Sequence, residues 1–252
     1  MEKVQQLPDA PRREVFPFWP KEFTSAECEM VAYVIESGLT MVSPERLFSL
    51  VLSCRWVVEN NVPGDFVEAG VWRGGASILT ALWLKHHAIN DRTVWLFDTF
   101  AGMTEPDAGD VRSRDGKTFE QIRVEHDQAG LGDDGVSAYA PLDLVQNNFR
   151  KAGLDPDAAV FIVGAVEETL TLEKNLPKSV SLLRLDTDWY KSTLAELTVL
   201  YPKLSPNGVL LIDDYGYFEG SRRAVDEYFS ANKRPFFLLD DEYGRTGLKP
   251  VT

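Results

Sequence analysis

The residues with the clearest chemical potential are acidic side chains at the ends of apolar runs. The run VLLI at residues 209–212 leads directly into Asp213 and Asp214, and VSLLRL at residues 180–185 leads into Asp186 and Asp188. A continuous apolar run is typical of a strand buried on both faces. Neighbouring carboxylates at the end of such a strand repel each other unless something compensates their charge.

These carboxylates predict a metal site. Parallel strands present their carboxyl ends at one edge of a sheet, so we expect Asp186 to lie near Asp213 and Asp214. Oxygen ligands without a nearby His or Cys favour Mg²⁺ or Ca²⁺ over zinc. In the alternative interpretation, Asp213 caps the following helix and Asp214 pairs with Arg222 or Arg223.

A glycine-rich loop follows the first predicted strand, in the stretch EAGVWRGGAS from Glu68 to Ser77. Glycines at such a place let the backbone approach a ligand and begin a helix tightly. The spacing differs from the G-x-G-x-x-G pattern of dinucleotide-binding enzymes, and an acid precedes the first glycine. Glu68 could therefore accept a hydrogen bond from an ammonium group, although tight packing without a ligand would also explain the glycines.

Asp98 ends the second predicted strand, in the stretch LFDTF. An acid at this position can accept hydrogen bonds from both ribose hydroxyls. The alternative is an aspartate that only forms a turn. Together with Glu68, the ribose role predicts a ligand in which a nucleoside carries an amino acid.

The elements that must position these residues alternate between strand and helix from Gly64 onward. The predicted strands are DFVEAGV, TVWLFDTF, AAVFIVGAV, VSLLRLDTD, GVLLIDD, RPFFLLDD and GRTGLKPV, with helical stretches such as ASILTALWLKHH, LDLVQNNFRKAG, STLAELTVLYPKL (ended by SPNG) and GSRRAVDEYFSAN between them. This alternation predicts an α/β fold with a mostly parallel sheet and helices on both faces.

Two further regions frame this core. We expect residues 1–60 to form an N-terminal arm, which could dock through Phe16, Phe18 and Trp19, followed by helices at Thr24–Gly38 and Pro44–Asn60. Residues 61–252 would form the main domain. It contains a long, acidic, Gly-rich insertion at about 101–140, the lid segment, because connections of that length are usually lids or binding loops. A disordered insertion is the alternative.

Composition excludes several classes of protein. The 252-residue chain is 44% hydrophobic and has a net charge of -13, which argues against binding to nucleic acid or to an anionic membrane surface. The sequence shows no apolar run long enough for a membrane span and no secretory signal. Two cysteines without a metal-binding pattern fit a reducing, cytoplasmic location.

In this order and spacing, the motifs resemble the macrocin O-methyltransferase family. The matching stretches are VPGDFVEAGVWRGGA, RTVWLFDTFAGM, VQNNFRKAGL, LLRLDTDWYKST, YPKLSPNGVLLIDDY and RRAVDEYF, which cover most of residues 41–229. Members of this family methylate sugar hydroxyls of natural products with S-adenosylmethionine and Mg²⁺. The resemblance implies the Rossmann-like S-adenosylmethionine-dependent methyltransferase fold, with a seven-stranded sheet whose last strand is antiparallel.

The resemblance also assigns roles to individual residues. Glu68, Gly70 and Val71 would lie along the methionine part of the cofactor, Asp98 would hold the ribose, and Gly164 and Ala165 would lie near the adenine. The full predicted cofactor-binding set also includes Arg73, Gly74, Ser77, Thr99 and Phe100. Asp186, Asp213 and Asp214 would bind the metal.

Two features depart from the family pattern. The family often has Asp-Gly-Asp where this chain has Asp186-Thr187-Asp188, and residues 117–139 match poorly. Some members draw a catalytic histidine from that poorly matched region, where this chain offers His126. Asp188, two residues after a metal ligand, is the first candidate for the general base and His126 is the second. Alternatively, Asp188 only pairs with Lys191.

Three functions therefore compete. The first is methylation of a sugar hydroxyl on a secondary metabolite, and the second is methylation of a phenol or catechol. The third is a binding module that retains the fold without catalysis, which three intact acids at the metal positions disfavour. The expected partner is a small glycosylated or phenolic acceptor, and we expect the chain to form a homo-oligomer. Trp72, Trp189, Tyr215 and Tyr217 could line an amphipathic acceptor pocket.

Overall fold

A computed structural model describes residues 19–129, 135–235 and 237–251. The strands in these residues are β1 (Asp65–Ala69), β2 (Val94–Asp98), β3 (Ala159–Val163), β4 (Val180–Leu185), β5 (Leu204–Ile212), β6 (Phe237–Leu239) and β7 (Arg245–Leu248). The helices are α1 (Ser25–Glu36), α2 (Pro44–Glu59), α3 (Gly75–His86), α4 (Phe119–Gln128), α5 (Leu142–Lys151), α6 (Val166–Thr169), α7 (Tyr190–Val199) and α8 (Glu219–Ala231).

The strands form one sheet in the order β3-β2-β1-β4-β5-β7-β6. Strands β1 to β5 pair in parallel, whereas β7 is antiparallel to both β5 and β6. This arrangement confirms the predicted seven-stranded sheet with an antiparallel last strand. The carboxyl ends of β1, β2, β4 and β5 therefore lie side by side, as the site prediction requires.

Helices cover both faces of the sheet, which explains the unbroken apolar runs. Phe66 of β1 belongs to a buried cluster with residues of α1, α2, α3 and α5, while the next residue, Val67, belongs to a second cluster with residues of α7 and α8. Because successive strand residues point to opposite faces, a strand with helices on both sides must be apolar throughout. The helices of the N-terminal region share this core.

Local sequence signals explain where these first two helices begin, and both predicted helices are confirmed. Thr24 caps α1 through a capping box with Glu27, which satisfies backbone N–H groups that have no partner inside the helix. Ser43 caps α2, and Pro44 occupies the first turn, where its fixed φ and missing N–H do no harm. Trp19 packs against Phe48 of α2 at 5.6 Å, whereas Phe16 and Phe18 lie outside the described residues.

The boundary between α7 and β5 differs from the prediction. The Ser-Pro-Asn-Gly stretch was expected to precede the strand, yet β5 already begins at Leu204 and contains it. Val180 of β4 pairs with Leu204, but Leu182 pairs with Val209, so the extra residues of β5 bulge out of the ladder. Asn207, with a φ of 62°, donates its backbone N–H to Lys249 O at 2.9 Å. A turn-forming sequence can thus be absorbed as a bulge.

The described residues of the lid segment pack against the residues that follow β4. Trp189 Nε1 donates to Thr104 O at 2.9 Å, and the Tyr190 N–H donates to Asp110 Oδ1 at 2.9 Å. An apolar cluster joins Ile122, Val136, Trp189 and Phe218, with Met103, Phe119 and Tyr217 packed against it. This cluster forms a roof over the carboxyl ends of the strands.

In the part of the chain that the structure describes, no helix combines the length and the apolar character that crossing a membrane requires.

Candidate active site

A cavity of about 410 Å³ lies at the carboxyl ends of β1, β2, β4 and β5, beneath the lid segment. The predicted site residues that line it are Glu68, Gly70, Val71, Asp98, Thr99, His126, Gly164, Ala165, Asp186, Asp188, Asp213 and Asp214. Residues from six separate stretches of chain therefore converge on one space. Its volume is within the range of small-molecule sites.

Gly70 allows β1 and β4 to meet closely at the floor of the cavity. Its φ is 84°, and a Cβ atom at this position would lie 1.8 Å from Asp186 O. The close backbone contact with Asp186 therefore requires glycine at this position, whether or not the loop binds a cofactor.

Gly70→Ala should lower the free energy of unfolding by about 3 kcal/mol or more, because the backbone must shift and the left-handed conformation becomes unfavourable. Denaturant titration would measure this loss. Gly153→Ala is the matched control, since Gly153 has a φ of 73° with nothing within 4 Å of the added Cβ. It should cost only about 1 kcal/mol, and equal losses in the two variants would contradict the steric argument.

Glu68 lies at the end of β1 and is only 5% exposed. It accepts a hydrogen bond from Arg184 Nη1 at 2.6 Å and another from Ser77 Oγ. Burial raises the pKa of Glu68 to about 7, although Arg184 and Ser77 oppose the shift. A cation bound in the cavity would therefore favour the charged carboxylate.

Asp98 ties the end of β2 to the glycine loop. Its Oδ2 accepts the backbone N–H groups of Val71 at 2.6 Å and Trp72 at 3.1 Å, and its Oδ1 accepts that of Phe100 at 2.7 Å. Burial raises the pKa of Asp98 in spite of these hydrogen bonds. Asp98 also lines the cavity, so its carboxylate shapes the glycine loop at the cavity wall.

Four residues of the predicted cofactor-binding set are not among those lining the cavity. The Arg73 guanidinium stacks over the Trp72 ring at 4.6 Å and donates to Gly38 O. Gly74, with a φ of 89°, packs towards α5, and Phe100 is buried in the core. Ser77 lies behind Glu68. These four residues therefore contact the surrounding structure and not the cavity.

The three predicted metal ligands converge as expected. Asp186, Asp213 and Asp214 each offer an oxygen, and these atoms lie within 4.8 Å of one another. Asp213 and Asp214 are each 8% exposed. Asp214 Oδ2 is buried and accepts no hydrogen bond from the described residues. A buried oxygen without a donor, beside two other carboxylates, fits a hard divalent cation.

The alternative roles for these two aspartates do not occur. Asp213 pairs with Arg46 and, at 2.7 Å, with Arg184, and the residue at the N-cap of α8 is Phe218. Arg222 instead pairs with Glu219, and Arg223 lies over the Tyr190 ring at 4.2 Å. Burial raises the pKa of Asp213 to about 6 and that of Asp214 well above its ordinary value.

Asp188 faces the same cluster, although not in the way its spacing suggested. Strand β4 ends at Leu185, and Asp188 has a φ of 68°, so it reaches the cavity through a tight turn and not by strand alternation. Burial, followed by the charge of Asp186, raises the pKa of Asp188, and Asp214 belongs to the same carboxylate cluster. Neighbouring buried carboxylates of like charge repel each other unless a cation compensates them.

The alternative partner of Asp188 is engaged elsewhere, because Lys191 Nζ pairs with Asp107 Oδ1 at 2.9 Å. His126, the second candidate base, lies on α4 and lines the cavity from the lid side. Of the aromatic residues considered for the acceptor pocket, Trp72, Trp189 and Tyr217 line the cavity. Tyr215 instead packs against the core cluster beneath α8.

Two arginines that the sequence interpretation missed compensate the acidic cluster. Arg184, 4% exposed, pairs with Glu68, Asp186 and Asp213. Arg46 pairs with Asp213 and, at 3.0 Å, with Asp241. Burial lowers the pKa of Arg184, but the surrounding acids outweigh it and raise the value well above normal. The charged residue within the apolar run VSLLRL was a signal for Arg184, whereas no local pattern indicated Arg46.

The Rossmann-like sheet, with a cavity and a carboxylate cluster at the carboxyl ends of its parallel strands, has the fold of an S-adenosylmethionine-dependent O-methyltransferase. A sequence profile of the macrocin O-methyltransferase (TylF) family matches residues 21–240. The chain belongs to this family, which confirms the resemblance seen in its motifs.

Individual relatives agree with this assignment. The chain is 38% identical over 189 residues to the demethyldecarbamoylnovobiocin O-methyltransferase of Streptomyces niveus, covering 75% of this chain and 67% of the relative. It is 38% identical over 190 residues, with the same coverage, to the 8-demethyl-8-(2,3-dimethoxy-alpha-L-rhamnosyl)-tetracenomycin-C 4'-O-methyltransferase of Streptomyces olivaceus. The structure of the O-methyltransferase NovP superposes with a TM-score of 0.70 and 34% identity, covering 84% of this chain and 83% of that one.

Proposed function

We propose that the protein transfers the methyl group of S-adenosylmethionine to a sugar hydroxyl of a secondary metabolite, with assistance from Mg²⁺. The observation that carries this proposal is the meeting of Asp186, Asp213 and Asp214 with Asp188 in the cavity that also contains Glu68 and Asp98. The residues that we assign to a charged nucleoside, to a cation and to proton removal thus line one cavity.

The cofactor would lie along the ends of β1, β2 and β3. Glu68 would accept a hydrogen bond from its ammonium group, Asp98 would accept from the ribose hydroxyls, and Gly164 and Ala165 would face the adenine. All four residues line the cavity. The raised pKa of Glu68, about 7 because of burial, supports a cationic partner, since a nearby positive charge favours ionisation.

The charge balance of the cavity supports the metal. Five carboxyl groups line the cavity beside two guanidinium groups, those of Arg46 and Arg184. Of the five, Glu68, Asp186 and Asp213 pair with these arginines, whereas Asp188 and Asp214 form no ion pair with a described residue. Full ionisation would leave an excess of three negative charges, which a buried site cannot hold uncompensated. Asp186, Asp213 and Asp214 would hold Mg²⁺, and the bound ion would lower the pKa of the acceptor hydroxyl.

The remaining chemistry belongs to Asp188. Its carboxylate would take the proton of the acceptor hydroxyl while the oxygen attacks the methyl carbon and the carbon–sulfur bond breaks. S-adenosylhomocysteine leaves as a neutral thioether, so the reaction needs no acid for its leaving group. The enzyme therefore has to position the acceptor and remove one proton.

The lid segment supports an acceptor with both an apolar and a polar part. Phe119, Ile122 and Val136 line the cavity opposite the acidic cluster, together with Trp189 and Tyr217. The relative from Streptomyces olivaceus acts, by its name, on a rhamnosyl-bearing tetracenomycin. We expect the sugar to lie beside the acidic cluster, and its aglycone to lie beneath the apolar residues of the lid segment.

Turnover of a panel of glycosides, their aglycones and simple catechols, followed by S-adenosylhomocysteine release, tests the proposal. We expect a glycoside to be the preferred acceptor and the matching aglycone to be inactive. Preference for a catechol would favour the phenol alternative.

We also propose that the chain forms a homo-oligomer. The proposal is supported by two exposed apolar residues on edge strand β6, Leu238 and Leu239, which are 58% and 71% exposed. Light scattering would measure the mass of the assembly.

Asp98→Ala should weaken S-adenosylmethionine binding by about tenfold or more, because charge-assisted hydrogen bonds to the ribose are lost. Calorimetry would measure the dissociation constant. Asp98→Asn retains one acceptor oxygen, so its affinity for S-adenosylmethionine should lie between those of Asp98→Ala and the wild type. Equal affinity in all three proteins would remove Asp98 from the cofactor site and leave it a structural role in binding the backbone N–H groups of Val71, Trp72 and Phe100.

A further inference from the structure

The turn that carries Asp188 is strained. The Trp189 N–H donates to Thr187 O at 2.7 Å, and Asp188 between them has a φ of 68°. This combination defines a γ-turn with a positive central φ, the rarer and more strained of the two γ-turn forms. A non-glycine residue remains in such a conformation only where its surroundings hold it.

Two side chains of α7 hold the residue that precedes Asp188. Thr187 Oγ1 donates to Glu196 Oε1 at 2.8 Å, and Ser192 Oγ donates to Thr187 O at 3.1 Å. Trp189, on the other side of the turn, is fixed by its hydrogen bond to Thr104 O and by rings of Phe119 and Phe218. The residues on both sides of Asp188 are therefore held in place by contacts with other elements.

Glu196 is a buried acid at a position where an apolar residue would be usual. It is 0% exposed on the inner face of α7, and among the described residues its Oε2 has no hydrogen-bond donor. Burial raises the pKa of Glu196 well above normal. The negative charges of Glu167 and Asp186 add to this shift, whereas the hydrogen bond from Thr187 opposes it. A buried carboxyl group is costly, and its hydrogen-bond partner here is Thr187.

We propose that Thr187 and Glu196 form a positioning pair that holds Asp188 in its strained turn and so aims its carboxyl group at the acceptor. The inference rests on the proposed role of Asp188 as the base. Between the two aspartates, this chain has a threonine whose hydroxyl group donates a hydrogen bond to the buried carboxyl group of Glu196.

Four variants test the pair by turnover and by cofactor affinity. Glu196→Ala and Thr187→Val should each lower kcat by between about tenfold and 10²-fold, the range expected when a catalytic group is misplaced by about 1 Å. The KM for the acceptor and the Kd for S-adenosylmethionine should change by less than about twofold, because neither residue is assigned to binding. Glu196→Gln and Thr187→Ser, which preserve an acceptor and a hydroxyl, should retain kcat within about threefold. The double variant Glu196→Ala/Thr187→Val should be no slower than the slower single variant, as expected for one shared interaction.

Hydrogen exchange at the Trp189 amide gives a readout that does not depend on activity. That N–H closes the turn, so Glu196→Ala should accelerate its exchange while Glu196→Gln should not. Unchanged exchange and unchanged kcat in Glu196→Ala, with only a lower melting temperature, would overturn the proposal and leave Glu196 a purely structural residue. Absence of turnover in the wild type with every acceptor would instead refute the proposed function, while the exchange result would still decide whether the pair holds the turn. If Glu196→Ala fails to fold, the comparison of Thr187→Val with Thr187→Ser decides.

Discussion

Asp188→Asn should lower kcat by a factor of about 10² to 10⁴, the usual contribution of a general base. Asparagine has nearly the same shape and can occupy the same turn, but its amide cannot take the proton of the acceptor hydroxyl. Affinity for S-adenosylmethionine should change little, because Asp188 is not assigned to the nucleoside. Single-turnover kinetics would show whether the loss falls on the chemical step.

His126→Ala is the matched control, because His126 lines the same cavity and is the second candidate base. We expect it to retain most of the wild-type kcat. If His126→Ala loses turnover while Asp188→Asn keeps it, the base lies in the lid segment and the assignment is wrong. If both variants keep near-normal kcat on a glycoside, activation of the hydroxyl by the metal alone is sufficient.

Removal of divalent cations with EDTA should lower kcat by about 10²-fold or more, and added Mg²⁺ should restore it. This magnitude follows because a metal ion contributes several kcal/mol of charge stabilisation, and each 1.36 kcal/mol is about tenfold in rate. The wild type should also bind Mg²⁺ in a calorimetric titration without substrate, through Asp186, Asp213 and Asp214.

Asp214→Ala should abolish this binding of Mg²⁺, whereas Asp143→Ala, at an exposed acid on α5, should leave it unchanged. The comparison separates a specific site from general attraction to a protein of net charge -13. Full turnover in EDTA, or equal Mg²⁺ binding in both variants, would contradict the metal assignment. Arg46 and Arg184 would then remain as the counterions of the cluster among the described residues.

Much of the fold and of the site could be predicted from the sequence because the relevant signals are local. The alternation of apolar strands and amphipathic helices determines a mostly parallel sheet, since strands covered on both faces must be apolar throughout. Strand ends in such a sheet lie along one edge, so acids at the ends of separate runs, such as Asp98, Asp186 and Asp213, had to meet.

The tertiary structure alone decided how the charges of that edge are balanced. Arg46 comes from the N-terminal helix α2, far in sequence from its partner Asp213, and no local pattern links the two. Arg184 was visible as a charge within a buried strand, but its three acidic partners lie on three different segments. Ion pairs of this kind depend on distances in space, which periodicity does not encode.

The backbone conformation at Asp188 likewise could not be predicted from the sequence. Alternation along an extended strand would place Asp186 and Asp188 on one face, yet β4 ends at Leu185 and a γ-turn brings Asp188 to the cavity. Local preference disfavours a positive φ at an aspartate. The conformation persists because contacts from α7 and the lid segment together stabilise it more than the turn costs, and only the packed structure assembles those contacts.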